Sequence, residues 1–360
     1  MKIDEIISPA VLIEVDVMEA NLRRMQAVCD EAGVELWPHI KTHKMVPVLR
    51  RQLELGAKGA TCAKLGEAEA LLPSGVRRIF IAHSLVDLQK AARLRELQAH
   101  LDELILAVTS ELHCEALEAL LAKAGIEVSV LMAVDTGLHR EGARGVAPAK
   151  VLAEKIRASS RMKLIGIYTH EGQSYGCSSQ GEVEKEAARV HALLQEYAAE
   201  VGGNLPLWPG CSVTAAKMAG RAGVKAVRPG AYLFGDLYLS EVTGVMAFED
   251  VALSVLGTVL DRPEPGLALI DAGSKVFSSD KVGGKLSARA CAQRTIEVTK
   301  LSEEHGFLAG EGVDGLRLGQ RLRFQPAHVC PVVNLATRVY FVRGEEVLEE
   351  VPVNARGRSD

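Results

Sequence analysis

The sequence has 360 residues, of which 48% are hydrophobic and 24% are charged, and its formal net charge is −4. This size and composition predict a globular protein with one large domain and a smaller one. Lysine and arginine are spread along the chain, which excludes the basic patches of a nucleic-acid-binding or membrane-surface protein. The expected partner is therefore a small-molecule substrate, another copy of the chain, or both.

The cellular location is predicted from what the sequence lacks. The first five residues have no apolar core of a secretory signal, and no stretch reaches the ~18 consecutive apolar residues of a membrane span. The seven cysteines are odd in number and irregularly spaced, so they do not predict a disulfide framework. These features predict a cytoplasmic protein with reduced thiols.

Short β-branched runs alternate with longer amphipathic segments through the first two-thirds of the chain. The candidate strands are 11–15, 34–38, 58–62, 77–82, 103–108, 127–134, 163–169, 206–210 and 225–228. Helices are predicted between them, for example at 86–98, 111–123 and 181–201, and Asp16 is the expected cap of the first helix. This α/β alternation predicts a parallel sheet closed into a (β/α)8 TIM-like barrel. A barrel of eight strands leaves one candidate over, and strand 11–15 is the expected outsider.

The pattern of predicted secondary structure changes after about residue 240. Short strands with Pro/Gly turns and little helix continue to Glu350. This pattern predicts a mostly antiparallel β domain after the barrel. The predicted boundaries are 17–240 for the barrel and 241–360 for the β domain.

A cluster of basic residues follows the second candidate strand, in Trp37-Pro38-His39-Ile40-Lys41-Thr42-His43-Lys44. A lysine at the C-terminal mouth of a barrel strand is placed to form a Schiff base with a carbonyl, and partial burial favours the neutral amine that this reaction needs. A lone lysine is more often a solvated surface residue. Two histidines and two lysines close together weaken that alternative without excluding it.

The segment from Pro38 to Lys44 resembles the cofactor-lysine motif of the D-threonine aldolase and D-serine dehydratase family. That family belongs to the barrel-fold pyridoxal phosphate (PLP) enzymes, the alanine racemase group. The resemblance implies that Lys41 forms the Schiff base with PLP, that His39 lies at the cofactor, and that Lys44 is an accessory residue. It also implies that residues 1–16 join the β domain and that the chain forms a homodimer.

Two further segments resemble active-site stretches of this family. Asp135-Thr136-Gly137-Leu138-His139-Arg140 matches its Asp-x-Gly-x-x-Arg pattern, which implies that Arg140 approaches the phenolic oxygen of the cofactor. The segment Tyr168-Thr169-His170-Glu171-Gly172-Gln173-Ser174-Tyr175 gives the candidates for contacts to the PLP ring, which are His170, Gln173 and Tyr175. For His170, a core histidine satisfied by a backbone partner is an equal alternative.

The loops after the last two candidate strands are the expected phosphate site. Their candidate residues are Gly210, Ser212, Thr214, Gly230 and Tyr232. Loops at this position of a barrel commonly bind phosphate, because free backbone N–H groups favour an anion. Glycines allow the backbone to approach closely, and the hydroxyl groups add donors.

His328 and Cys330 are the candidate metal ligands. On a strand, residues i and i+2 face the same side, so the two side chains are expected to point together. An imidazole and a thiolate suit zinc, although an isolated His-x-Cys pair is more often incidental because structural zinc sites need about four ligands. The surrounding sequence resembles the metal segment of the family, which supplies two protein ligands. The aldolases of the family carry an aspartate where this chain has Cys330, so the resemblance favours the dehydratase branch and zinc, with manganese or magnesium as alternatives.

These residues together predict a PLP- and metal-dependent lyase that acts on β-hydroxy D-amino acids. The favoured reaction is D-serine dehydratase-like elimination to a 2-oxo acid and ammonia. The alternative is retro-aldol cleavage to glycine and an aldehyde, as in D-threonine aldolase. A racemase, a non-catalytic PLP-binding protein and a metal-dependent barrel hydrolase are weaker alternatives. The sequence does not indicate which β-hydroxy D-amino acid is preferred or what Asp271, in another family-like segment, contributes.

Overall fold

A computed structural model describes all 360 residues. The chain divides into two compact units. The barrel unit consists of Arg24–Lys41, Val46–Gly230 and Gly357–Asp360, and the β unit consists of Met1–Arg23, Thr42–Met45 and Ala231–Arg356. The domain boundaries expected from the sequence, 17–240 and 241–360, stay predictions.

The chain forms helices α1–α10 and strands β1–β17, in addition to short 3-10 turns. The helices are α1 (Val15–Ala32), α2 (Val46–Leu55), α3 (Leu65–Leu71), α4 (Ala91–Ala99), α5 (Glu111–Ala124), α6 (Val146–Ala158), α7 (Gln180–Val201), α8 (Ala215–Ala219), α9 (Ser274–Phe277) and α10 (Val329–Leu335). The strands are β1 (Ala10–Glu14), β2 (Glu35–Leu36), β3 (Ala60–Cys62), β4 (Arg78–Ile81), β5 (Glu103–Val108), β6 (Val128–Ala133), β7 (Met162–Tyr168), β8 (Leu207–Trp208), β9 (Ala226–Val227), β10 (Leu253–Glu264), β11 (Leu267–Ile270), β12 (Ala288–Ala290), β13 (Glu297–Leu301), β14 (Gly306–Ala309), β15 (Arg321–Pro326), β16 (Arg338–Arg343) and β17 (Glu346–Pro352). None of the helices combines the length and the apolar composition that crossing a membrane requires.

Strands β2 to β9 form a closed parallel barrel within the barrel unit. β3 to β8 pair in chain order, and β2 pairs with β9. Parallel bridges between His39 and Thr61 and between Leu207 and Val224 join these two sheets into a ring. Eight parallel strands with helices between them confirm the predicted (β/α)8 architecture.

Aromatic side chains fill the interior of this barrel. Trp37 and Trp208 meet edge to face with ring centroids 5.0 Å apart, and Phe80 and Tyr168 do the same at 5.1 Å. Gly59 makes room for the first pair, because a Cβ at this position would lie 2.6 Å from the ring of Trp37. A filled interior has no channel, so functional groups must lie at the ends of the strands.

The first strand lies outside the barrel. β1 pairs antiparallel with β10 and parallel with β16, inside the nine-stranded sheet of the β unit. Leu12 and Ile13 of β1 are fully buried. The one strand in excess of eight is therefore accounted for by β1, as the sequence predicts.

The expected cap of the first helix is wrong. α1 begins at Val15, directly after β1 ends at Glu14, so Asp16 lies within the first helical turn rather than before it. Its carboxylate instead pairs with Arg343, with a nitrogen–oxygen distance of 3.0 Å. The residue at the cap position is therefore Glu14, the last residue of β1.

The β unit is mostly antiparallel, as expected. β10 pairs with both β15 and β11, which closes six of its strands into a small antiparallel barrel. Asp271 follows β11 and accepts hydrogen bonds from the backbone N–H of Thr258, at 2.7 Å, and from the hydroxyl of Ser8. These contacts give Asp271 a structural role in tying residues near the N-terminus to the sheet.

We expect Leu131→Ala to lower the free energy of unfolding by about 2–5 kcal/mol, because this fully buried side chain of β6 fills the barrel interior. Urea denaturation followed by circular dichroism measures the change. The matched control is Leu112→Ala on α5, where the side chain is 78% exposed. The control is expected to change the free energy by less than about 0.5 kcal/mol, and equal losses in both variants would contradict a packed barrel interior.

Candidate functional site

One pocket of the barrel unit lies where the carboxyl ends of its strands meet. It is lined by His39, Lys41, Ala82, Ala133, Val134, Asp135, Leu138, Arg140, Glu141, Tyr168, Thr169, His170 and Arg228. The structure thus brings together four of the candidate site residues, which are His39, Lys41, Arg140 and His170. They follow three different strands, and parallel strands of one barrel present their carboxyl ends on the same side.

Backbone pairing fixes the segment that carries Lys41. The N–H groups of Trp37 and His39 donate to the carbonyls of Val227 and Pro229 at 2.9 and 2.8 Å, and Lys41 follows in a 3-10 turn. Burial, and then the positive charge of Lys41, lower the pKa of His39 well below its usual value. His39 is therefore a neutral neighbour of the lysine.

His170 is also neutral, and its orientation is fixed. Its Nδ1 donates to the carbonyl oxygen of Gly210, which leaves Nε2 as the acceptor. Burial, and then the positive charge of Lys41, lower the pKa of His170 to about 3. His170 has the backbone partner that the core-histidine alternative predicts, and it also lines the pocket. Its contact to a PLP ring stays a prediction.

Arg228, which was not predicted from the sequence, is the buried cation of the pocket. Its side chain is 3% exposed, and its guanidinium donates to the carbonyls of Thr169 and Trp208 at 2.5 and 3.2 Å. The same group lies over the rings of Phe80 and Tyr168, at 5.3 and 5.2 Å. Burial lowers the pKa of Arg228 to about 10, so it remains charged at neutral pH. The available signal was an arginine directly after a buried strand and before a Pro-Gly turn.

Glu171 is a buried carboxylate that was not predicted from the sequence. It holds the loop after β8 by hydrogen bonds. It accepts hydrogen bonds from the hydroxyl of Thr214 at 2.7 Å and from the N–H of Gly210 at 3.1 Å. Burial raises the pKa of Glu171, and these hydrogen bonds offset part of that shift. The donors expected to bind phosphate at Gly210 and Thr214 are thus engaged by an internal anion.

The remaining phosphate candidates are Ser212, Gly230 and Tyr232. The hydroxyl of Ser212 accepts a hydrogen bond from the N–H of Gly230 at 3.0 Å, which ties the last two loops of the barrel unit together. Tyr232 is buried in the 3-10 turn Ala231–Leu233 of the β unit. The phosphate roles of all these residues stay predictions.

Gln173 and Tyr175 stand outside the lining of this pocket. Both lie in the 3-10 turn Gly172–Gly176. The amide of Gln173 donates to the carbonyl of Thr136 at 3.1 Å and to Glu186 at 3.0 Å. Their contacts to a PLP ring stay predictions.

Asp135 holds the loop that carries Arg140. Its carboxylate accepts hydrogen bonds from the N–H groups of Gly137 and His139 at 2.9 and 3.0 Å, and it pairs with Arg144 at 3.0 Å. Burial raises the pKa of Asp135, but the two backbone N–H groups and His139 outweigh burial and lower it overall. The ionised carboxylate therefore stabilises the loop.

In the β unit, His328 and Cys330 lie at the start of a helix, so the expected strand is wrong. β15 ends at Pro326, His328 is the extended residue before α10, and Cys330 is in the first turn of α10. Pro331 explains the difference, because a proline removes a ladder hydrogen bond from a strand but is tolerated in the first turn of a helix. The two side chains nevertheless interact, since the extended residue turns directly into the helix.

Polar groups surround this pair. His328 Nδ1 lies 2.6 Å from Asp280 Oδ2, and Cys330 Sγ lies 3.2 Å from the hydroxyl of Thr42. Burial lowers the pKa of His328, but the hydrogen bond and charge of Cys330, with Asp236 and Asp280, raise it to about 9. An imidazole beside a thiol with carboxylates around them suits a soft divalent cation. No cluster of three or more histidine, cysteine or carboxylate ligands occurs, so an ion held here has two protein ligands and open positions.

Comparisons with known proteins cover both units. The alanine racemase N-terminal domain model matches residues 13–238, and the putative serine dehydratase domain model matches residues 252–342. A D-threonine aldolase from Arthrobacter sp. is 31% identical over 98% of this chain and 93% of its own length. A D-threo-3-hydroxyaspartate dehydratase from Delftia sp. (strain HT23) is 33% identical over 90% of each chain.

Solved structures agree with these matches. A D-threonine aldolase from Filomicrobium marinum superposes with a TM-score of 0.91 at 27% identity, covering 100% of this chain and 98% of its own. Two alanine variants of a D-threo-3-hydroxyaspartate dehydratase match at TM-scores of 0.89 and 0.88, both at 29% identity, covering 98% of this chain and 96% and 99% of theirs. The first replaces a histidine, and the second, in the metal-free form, replaces a cysteine two positions further along.

We expect the stabilising effect of Asp135 to disappear in acid. The folded-state pKa of Asp135 is lowered, so its contribution is present above the unfolded value of about 3.9 and is lost as the pH falls through the folded value. Urea denaturation of Asp135→Asn should therefore show its largest loss of stability, relative to the unaltered protein, above about pH 5 and a shrinking loss toward about pH 2.

The control for this experiment is Asp261→Asn, at an exposed carboxyl of β10. Its free energy of unfolding is expected to differ from that of the unaltered protein by less than about 0.5 kcal/mol. A loss for Asp135→Asn that does not depend on pH would show that the carboxylate charge is not what holds the loop.

Proposed function

We propose, from the premise that the chain belongs to the alanine racemase-like family of D-amino-acid lyases, that it removes water from β-hydroxy D-amino acids. Hydrolysis of the resulting imine then gives a 2-oxo acid and ammonia. The reaction would depend on PLP held by Lys41 and on a divalent cation, zinc by preference, held by His328 and Cys330. The observation that carries the dehydratase reaction is the imidazole–thiol pair at the start of α10. The names of the relatives support PLP as the cofactor.

The cysteine as second metal ligand, where the aldolases carry an aspartate, supports the dehydratase over the aldolase. A D-threo-3-hydroxyaspartate dehydratase has been solved with alanine at a histidine and at a cysteine two positions apart, the latter in a metal-free form. His328 and Cys330 have the same two-residue spacing. Overall identity does not separate the reactions, since the aldolase and the dehydratase are 31% and 33% identical to this chain.

The residues of the pocket suit an anionic aromatic cofactor. Lys41 provides the amine for a covalent link, and Arg140 and Arg228 provide two permanent positive charges. His39 and His170 are neutral, so each can accept a hydrogen bond from a ligand or pack against its ring. A dianionic phosphate ester with a conjugated ring matches this set of charges and acceptors.

The chemistry divides between the bound groups and the chain. PLP supplies an electron sink for negative charge at Cα, and a divalent cation supplies a Lewis acid that favours departure of hydroxide. Lys41 Nζ would be the base that takes the Cα proton. Arg140 and Arg228 would hold the anionic ligand in place, and His328 and Cys330 would hold the cation as its two protein ligands.

Retro-aldol cleavage is the second candidate function. The match to the Filomicrobium D-threonine aldolase, at a TM-score of 0.91, favours it. In that reaction a base removes the proton of the β-hydroxyl, the Cα–Cβ bond breaks, and the products are glycine and an aldehyde. The two reactions differ in which proton is removed, so their products distinguish them.

We expect borohydride reduction of the PLP-loaded protein to fix the cofactor on Lys41, as read by peptide mapping with mass spectrometry. Lys41→Ala should lose the label. Lys44→Ala is the matched control and should keep it, because the amine of Lys44 is engaged with Asn334 Oδ1 at 2.7 Å. A label on any other lysine, or no label, would overturn the assignment of Lys41.

We expect incubation with D-serine, D-threonine and 3-hydroxy-D-aspartate to give ammonia and 2-oxo acids, with activity lost in EDTA and restored by zinc. Cys330→Ala should lower kcat/KM by at least about 100-fold, because removal of a ligand weakens binding of the ion. Cys291→Ala, at another half-buried cysteine of the β unit, should leave the activity unchanged. Glycine as the main product would establish the aldolase reaction instead.

A further inference from the structure

One carboxylate contacts the ring of the candidate metal-binding histidine. Asp280 Oδ2 lies 2.6 Å from Nδ1 of His328. An ionised carboxylate accepts hydrogen bonds and cannot donate them, so Nδ1 carries the proton in this contact. The nitrogen left for an ion is then Nε2, on the opposite side of the imidazole ring.

Neighbouring residues hold both partners of this contact. The hydroxyl of Tyr238 donates to the carbonyl of Lys281 at 2.8 Å, next to Asp280 in the chain, and the N–H of Asp280 donates to Ser278 Oγ at 3.2 Å. The ring of Tyr238 also packs edge to face with that of His328, with centroids 6.3 Å apart. Tyr238 thus braces the imidazole and the segment that carries the carboxylate.

A second carboxylate fixes the backbone beside His328. Asp236 is fully buried and accepts the N–H of Val329, the first residue of α10, at 3.0 Å. It also accepts the N–H of Leu239 at 3.0 Å. The backbone on the C-terminal side of His328 is therefore fixed independently of Asp280, which leaves the rotation of the imidazole ring as the freedom that Asp280 restricts.

The solvent exposure of His328 and Asp280 indicates that their contact does not mainly stabilise the fold. The side chains of His328 and Asp280 are 35% and 44% exposed. Ion pairs this accessible to water contribute little to folding stability. A site with two protein ligands, by contrast, depends strongly on the orientation of each of them, because no further ligand compensates for a misplaced one.

We propose that Asp280 is a positioning residue, which holds the proton on Nδ1 of His328 and turns Nε2 toward the bound cation. This inference rests on the metal dependence in the proposed function. Asp280 itself does not touch the ion or the substrate. Its effect is expected on the affinity for the cation rather than on the stability of the fold.

The test measures zinc affinity of the full chain, stripped of metal and titrated with zinc against a chromophoric chelator. Asp280→Ala should bind zinc about 10–100-fold more weakly than the unaltered protein. Asp280→Asn, which keeps an oxygen that accepts the Nδ1 proton, should recover part of this loss. Glu349→Gln, at an exposed carboxyl of the β unit, is the control and should bind zinc normally.

Urea denaturation of the zinc-free proteins accompanies the titration. Equal midpoints for the unaltered protein and Asp280→Ala, together with weaker zinc binding by the variant, would support the positioning role. Unchanged zinc affinity in Asp280→Ala would overturn it while leaving the proposed function intact. Failure of the unaltered protein to bind zinc would overturn the metal dependence itself, and the two failures are thereby distinguished.

Discussion

The candidate cofactor pocket depends on one enclosed positive charge. Arg228 is satisfied by the carbonyls of Thr169 and Trp208, which offset the cost of removing a guanidinium from water. Its charge contributes to keeping His39 and His170 neutral. It also requires a glycine at position 210, since a Cβ there would lie 2.5 Å from the guanidinium carbon. The glycine at position 210 and the neutral state of the two histidines thus both depend on a single buried arginine.

Two buried carboxylates hold the loops of this pocket in different ways. Asp135 accepts several N–H groups of its own loop, and these favour its ionised form over the cost of burial. Glu171 is more deeply buried and accepts fewer hydrogen bonds. Burial therefore outweighs the hydrogen bonds, raises the pKa of Glu171 and makes its ionised form less favoured. One carboxylate arranges the loop that presents Arg140, and the other arranges the loop whose carbonyl at Gly210 orients His170. The positions of Arg140 and His170 in the pocket therefore depend on two carboxylates that hold the loops.

The sequence predicted the architecture well because the barrel repeats a local signal. Alternation of β-branched and amphipathic runs is read directly, and the single surplus strand was assigned correctly to the β sheet. The sequence also predicted Lys41, Arg140 and His170 as site residues, and they meet in one pocket. The contact of His328 with Asp280 was not predicted, because the two residues are 48 positions apart and no local sequence pattern connects them. The expected strand at His328 failed for a local reason, since Pro331 already argued for a helical first turn.

The placement of β1 has a consequence for biosynthesis. This strand is synthesised well before its neighbours in the sheet, which begin at Leu253 and Arg338. At a translation rate of about 5–20 residues per second, the nascent strand waits roughly ten seconds or more for its first partner. During that time all eight strands of the parallel barrel are synthesised, while an apolar segment with unpaired backbone groups stays uncovered. Until β10 is synthesised, the sheet therefore offers β1 no partner strand.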